Sequence, residues 1–126
     1  NPSINNVSTL NAGQYIVAVS FNGLDCILDT VTTVVVNTNP TISLNSLTNV
    51  NCFNASTGAI SITANGNAPF TYSWTGPNTF TATTEDISSL PLGSYTLIVT
   101  DANNCNNQFN FTINITLSDH HIQFII

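Results

Sequence analysis

The chain has 126 residues, contains neither lysine nor arginine, and carries a formal net charge of −6. Nucleic-acid binding depends on cationic side chains that neutralise phosphates, so the composition excludes that class of function. It also excludes attachment to anionic lipid through a polybasic segment. No window approaches the roughly 18 consecutive apolar residues of a membrane-spanning helix. We therefore expect no nucleic-acid partner and no membrane insertion.

The first 38 residues are predicted to form strands and tight turns. A strand is expected over residues 1–8, and Tyr15, Val17 and Val19 then alternate with polar residues as in a half-buried strand. Asn22-Gly23 is a strong hairpin signal, and the return strand is expected over residues 31–37. Asn39-Pro40 marks a boundary, because the residue before a proline is driven to extended geometry and proline cannot donate to a ladder.

Residues 41–116 contain about seven short strand signals with turns between them and no helical period. This pattern predicts an all-β fold of immunoglobulin-like β-sandwich modules in tandem. Two strands supply the densest apolar faces, and their inward residues are the predicted core: Phe70, Tyr72, Trp74, Tyr95, Leu97 and Val99. The three aromatic residues of the first strand also offer an alternative, a sugar-stacking platform, although core packing is favoured.

Residues 10–26 repeat, in a weaker form, residues 90–105. Tyr15 and Tyr95 are 80 positions apart, and Cys26 and Cys105 are 79 apart. A self-match at this spacing indicates a tandem array. We therefore interpret residues 1–38 as the C-terminal part of one module and residues 41–116 as a complete one. Residues 117–126 are interpreted as a linker and the first strand of a following module.

The three cysteines fit this division. Cys52 and Cys105 are the only pair within one module, so a disulfide between them is predicted, which places the protein outside the cytoplasm. Cys26 is equivalent to Cys105, and its expected partner precedes residue 1. The alternatives are reduced thiols or, less favoured, metal ligands.

No constellation of residues indicates catalysis, so we predict a protein that is not an enzyme and has no catalytic residue, cofactor or metal. His120 and His121 are neighbours and would face opposite sides of a strand. Asp101 with Asn103 and Asn104 could hold calcium, but such residues also build turns unaided. Glu85 and Asp86 could complete such a site or be solvated.

Several segments together resemble the SprB-repeat family of tandem modules in very large cell-surface adhesins of gliding and marine Bacteroidetes. The tryptophan strand and the Gly-x-Tyr strand also resemble the polycystic-kidney-disease-like domains. The turn before Cys105 departs from the usual Asn-Gly-Cys of the family, and residues 117–126 fit no family motif. The segments that carry the SprB resemblance are residues 50–52, 58–62, 69–74, 90–95 and 99–105.

The resemblance implies an exported, cell-anchored, filamentous protein, with secretion by the type IX route. The expected function is a rigid spacer in an adhesin for surface attachment or gliding, with neighbouring modules, other copies in a filament and surface glycans as partners. One alternative is a subunit polymerised by strand addition through residues 122–126. Another is a carbohydrate-binding accessory module of a secreted enzyme. Thr30, within Asp29-Thr30-Val31, is a candidate O-glycosylation site.

Overall fold

The computed structural model describes residues 10, 12–21 and 24–116, with the backbone alone over 16–21 and 24–30. The chain divides into two compact units, Asn1–Thr38 and Asn39–Ile126. Along the described part of the chain, no helix is long and apolar enough to cross a bilayer.

The first unit contains one antiparallel hairpin. Its strands are β1 (Gly13–Phe21) and β2 (Leu24–Val34), with Tyr15 opposite Thr32. The return strand therefore begins directly after Asn22-Gly23, seven residues before the predicted start at residue 31, because a two-residue hairpin turn needs no further loop. The strand expected over residues 1–8 lies outside the described residues.

The second unit is a β-sandwich of two antiparallel sheets, which confirms the predicted all-β class. One sheet has the strand order β3-β4-β7, and the other has the order β6-β5-β8-β9. A short 3-10 helix, Pro77–Thr79, joins β5 to β6. The strands are β3 (Thr41–Thr48), β4 (Gly58–Asn65), β5 (Thr71–Thr75), β6 (Thr81–Ala82), β7 (Ile87–Leu90), β8 (Gly93–Thr100) and β9 (Asn106–Ile113).

The core lies between the two sheets, and β4 and β8 contribute alternate residues to it. Strand β4 contributes Ile60 and Ile62, and β8 contributes Tyr95, Leu97 and Val99, all with an exposed fraction of 1% or less. Trp74 of β5 is equally buried, whereas Phe70 and Tyr72 are half-buried and pack against the cluster. All members of this cluster belong to the second unit, so that unit has a hydrophobic core of its own.

Tyr95 stabilises the connection in which the chain passes from one sheet to the other. Strand β7 ends at Leu90 in one sheet and β8 begins at Gly93 in the other. The buried Tyr95 hydroxyl donates a hydrogen bond of 2.8 Å to the Pro91 carbonyl in this crossing. A tyrosine bonded to backbone a few residues upstream is a feature of immunoglobulin-like sandwiches. Assignment to that particular class stays a prediction.

Gly76 is required where the chain passes the Tyr95 ring. A Cβ atom at this position would lie 2.5 Å from Tyr95 Cδ1, inside van der Waals contact. The Gly76 amide meanwhile donates to the Phe80 carbonyl at 3.0 Å and closes the turn around the 3-10 helix. The absence of a side chain therefore lets this turn pack directly on the buried ring.

The sequence repeat is also a repeat of strand pairing. In the first unit Gly13 pairs with Val34, and in the second Gly93 pairs with Ile113. The offset is 80 on the first strand of each hairpin (93 − 13) and 79 on the second (113 − 34). Assignment of residues 1–38 to the back of a larger module stays a prediction. The predicted third module falls on residues 117–126, outside the described residues.

We expect Tyr95→Phe to lower the free energy of unfolding by about 1–2 kcal/mol, because it removes the hydroxyl and leaves the Pro91 carbonyl without its donor. Urea unfolding followed by Trp74 fluorescence measures the change. Tyr72→Phe is the control, since its side chain is only half-buried and its loss should be smaller. Equal stability of Tyr95→Phe and the unmodified protein would contradict this role.

Stability should also fall at alkaline pH. Burial raises the pKa of Tyr95 above 10.0, and burial followed by the nearby Glu85 carboxylate raises the pKa of Tyr72. Each phenol with a raised folded-state pKa contributes stability that is complete below the unfolded pKa, about 10, and is lost as pH rises through the folded pKa. Urea midpoints should thus fall above about pH 10, and less so in the double variant Tyr72→Phe/Tyr95→Phe. An equal fall in both proteins would contradict the assignment.

Candidate functional site

The polar and thiol groups of the second unit, the predicted complete module, lie mainly at its two ends. We call the end containing Pro40, Asn67 and residues 101–105 the N-terminal pole. The opposite end, the C-terminal pole, contains residues 50–55, Asn78, Pro91, Leu92 and Thr116. Strand β8 runs from the C-terminal pole to the N-terminal pole, and β9 returns. Among the described residues, no three histidine, cysteine or acidic side chains are grouped as metal ligands.

The chain enters the module at the N-terminal pole. Pro40 is fully buried, and its carbonyl accepts a hydrogen bond of 3.2 Å from Asn107 Nδ2. At the same pole the Ala102 amide donates to the Asn67 carbonyl at 3.0 Å. The first contact ties the start of the module to β9, and the second joins the connection between β4 and β5 to the turn between β8 and β9.

Asp101 organises the turn between β8 and β9. Its Oδ1 accepts hydrogen bonds of 2.9 Å from the backbone amides of both Asn103 and Cys105. The side chain is 5% exposed, and its Oδ2 has no hydrogen-bond partner among the described residues. The sequence left two roles open for Asp101, calcium binding and turn formation. The structure shows the second, because one carboxylate oxygen accepts hydrogen bonds from the backbone of the turn.

Asn104 explains the departure from the family turn. Its φ is +61°, in the left-handed region that favours glycine. Asparagine is the residue other than glycine that visits this region most readily. Asn104 can therefore replace the usual glycine of Asn-Gly-Cys without changing the course of the turn.

The chain leaves the module at the C-terminal pole. After β3, Val50 forms an isolated parallel bridge with Ile115. The Val50 amide donates to the Asn114 carbonyl at 3.0 Å, and the Thr116 amide donates to the Val50 carbonyl at 2.8 Å. Asn49 Oδ1 accepts from the Asn114 amide at 2.9 Å. The last described residues are thus tied to the loop that precedes β4.

An open, partly apolar surface covers the C-terminal pole. Phe53 is 75% exposed and Leu92 is 39% exposed. Both border a cavity of about 250 Å³ whose remaining lining residues are Asn54, Ala55, Asn78 and Pro91. Cys52 is exposed beside Phe53. None of the residues lining this cavity is charged.

The predicted disulfide between Cys52 and Cys105 is not formed, and both residues are free thiols. They lie at opposite poles, separated by the eight residues of β8, a length of about 25 Å. A disulfide needs Cα atoms roughly 4.4–6.8 Å apart. The pairing within one module is therefore wrong, because sequence order alone did not show which end of the sandwich each loop occupies. Cys26 lies in β2, its side chain is outside the described part, and its pairing stays a prediction.

Glu85 and Asp86 have a role that the sequence analysis missed. Strand β7 pairs with β4 only from Gly58 to Ile60. Beyond that point Asp86 Oδ1 accepts from the Ile62 amide at 2.9 Å, and Glu85 Oε1 accepts from the Ala64 amide at 3.3 Å. The two carboxylates extend the ladder of β4 where its neighbouring strand has ended. Only the three-dimensional register could show this, since the residues are more than 20 positions apart.

The aromatic strand is part of the core. Trp74 is 1% exposed, its Nε1 donates to the Thr84 carbonyl at 2.9 Å, and its ring centroid lies 5.6 Å from that of Phe111. Its faces are therefore not available for stacking on a sugar, which favours the core interpretation. The backbone of Thr30 pairs with Val17 in the first hairpin, but its side chain lies outside the described part, so its glycosylation stays a prediction.

Part of the chain is similar to a known family. Residues 44–79 match the family model described as the SprB repeat, which confirms the resemblance. The matched stretch runs from β3 to the 3-10 helix and includes Cys52 and Trp74. SprB repeats are structural repeat modules of Bacteroidetes cell-surface proteins and are not known as enzymes. No curated protein sequence matches the chain.

Because the two thiols are separate, we expect a reducing agent to leave the melting temperature of the monomeric chain unchanged. An intramodule disulfide closing about 54 residues would instead contribute roughly 4 kcal/mol, which reduction would remove. Circular dichroism with and without reductant measures this. Cys52→Ser should remove one equivalent of maleimide-reactive thiol from the folded protein. A lower melting temperature on reduction would restore the original pairing.

Proposed function

We propose that the chain is a segment of a long extracellular protein in which such modules are joined end to end as a stiff spacer at the cell surface. The observation that carries the proposal is the path of the chain through the complete module. It enters at Pro40 on the N-terminal pole and leaves at Thr116 on the C-terminal pole, so the lengths of successive modules add.

Both points of attachment support stiffness. Pro40 is buried and hydrogen-bonded through its carbonyl, and Thr116 is hydrogen-bonded to Val50. A module held up to its first and last residues leaves few residues free to act as a flexible linker between neighbours. A series of such modules would project whatever lies beyond it away from the cell.

The composition and the family match support the proposed location. A surface without lysine or arginine offers no cleavage site to trypsin-like proteases, an advantage for an exposed protein. The match of residues 44–79 to the SprB repeat, a repeat of Bacteroidetes cell-surface proteins, supports this location. A role in an adhesin for attachment or gliding, and export by the type IX route, are the finer parts of this proposal.

The alternatives have less support. Polymerisation by strand addition would use residues 122–126, which lie outside the described residues, so it stays a prediction. The carbohydrate-binding alternative depended on the Trp74 strand as a platform, and Trp74 is buried. Surface glycans therefore have no binding surface assigned to them among the described residues.

Small-angle X-ray scattering from proteins with one, two and three copies of residues 39–118 tests the spacer proposal. The maximum dimension should grow by roughly 30 Å with each added copy, the approximate length of an eight-residue strand with its turns. A matched control places a Gly/Ser linker between the copies and should give a broad, compact ensemble. A directly joined series as compact as the control would overturn the proposal.

A further inference from the structure

We propose that successive modules are locked together by a disulfide between Cys52 of one module and the cysteine at the Cys105 position of the next. This inference rests on the proposed end-to-end series. It starts from the finding that Cys52 and Cys105 are free and occupy opposite poles of one module.

The geometry that separates the two cysteines within a module brings them together between modules. In a series, the C-terminal pole of one module meets the N-terminal pole of the next. Cys52 is exposed at the first of these poles, and Cys105 is half-buried at the second. Each joint then contains one cysteine of each kind, and each cysteine within the series is used once.

The cysteine at the N-terminal pole has a counterpart in the sequence repeat. Cys26 precedes Cys105 by 79 residues, and the two hairpins share a register as far as the pairs Val19–Leu28 and Val99–Asn107, beyond which the first hairpin shifts its register. Cys26 lies inside β2 next to this shift, whereas Cys105 lies in the turn before β9, so it is the spacing in the sequence that relates the two cysteines. A cysteine at this place in every module is what a link at every joint requires.

The surroundings of Cys52 suit contact with another module. Phe53 and Leu92 expose apolar surface next to it, and the adjoining cavity has no charged lining residue. At the N-terminal pole, the acidic side chain of Asp101 is buried in its turn and is bonded to the Cys105 amide. The cavity and the buried acid therefore add no exposed charges that would repel the facing pole.

The bond forms by thiol–disulfide exchange. One cysteine thiolate attacks a disulfide oxidant, such as glutathione disulfide or the active-site disulfide of an oxidoreductase, and gives a mixed disulfide and one released thiolate. The second cysteine thiolate attacks the protein sulfur of the mixed disulfide and releases the other half of the oxidant. The two cysteines together lose two protons and two electrons, and the oxidant is reduced to two thiols.

Two tandem proteins with two copies of residues 39–118 test the inference, each with two cysteines. The adjacent-pole protein keeps Cys52 in the first copy and Cys105 in the second, with Cys105→Ser and Cys52→Ser at the other positions. The opposite-pole protein keeps Cys105 in the first copy and Cys52 in the second. The two proteins have the same composition and differ only in which poles carry the thiols.

With glutathione disulfide as the oxidant, the adjacent-pole protein should form the intramolecular disulfide at least about tenfold faster, because its thiols have a high effective concentration. Intact mass and thiol counting identify the product: the loss of two hydrogens without an adduct. The opposite-pole protein should give glutathione adducts or linked oligomers. Equal closure in both proteins, or no closure in a folded adjacent-pole protein, would overturn the inference. If scattering still shows an elongated series, the spacer function survives that failure.

Discussion

The hydrogen bond from Tyr95 to Pro91 fixes the point at which the chain passes from one sheet to the other. The same ring fills the core between the sheets and forms the surface on which Gly76 packs. Burying a hydroxyl without a hydrogen-bond partner would cost folding free energy, so burial of the Tyr95 ring requires the Pro91 carbonyl to lie within hydrogen-bond distance. Tyr95 therefore joins the start of β8 to the core between the two sheets.

Because β8 runs from pole to pole, its two ends lie beside the features of the two poles. Its start lies beside the Cys52 loop and the exit of the chain, and its end leads into the Asp101 turn, Cys105 and the point where the chain enters. The placement of entrance and exit at opposite ends, on which the proposed spacer role rests, therefore also separates the two cysteines. The proposed length along an array and the proposed linkage across a joint both depend on the same strand.

The sequence predicted what local alternation can encode. Period-two patterns identified the strands around Trp74 and Tyr95 and the inward face of each, because burial on one face of a strand is visible in residue order. Pairing between distant loops is not encoded in that way. Cys52 and Cys105 were joined because they were the available pair, and Glu85 and Asp86 were expected to be solvated or to help hold a cation. Glu85 and Asp86 are exposed, as the solvated interpretation expected, but their hydrogen bonds to β4 were missed. The wrong cysteine pair and these missed bonds concern positions that only the register of the two sheets brings together or keeps apart.

The absence of lysine and arginine changes how such a protein can hold itself together. Its carboxylates cannot form ion pairs with these residues, and Glu85, Asp86 and Asp101 instead accept hydrogen bonds from backbone amides. The same restriction applies to a joint between modules, where opposing lysine–carboxylate or arginine–carboxylate pairs are ruled out. Apolar contact, hydrogen bonds of backbone and uncharged side chains, and covalent linkage are the remaining means, and the C-terminal pole offers apolar surface and a thiol through Phe53 and Cys52.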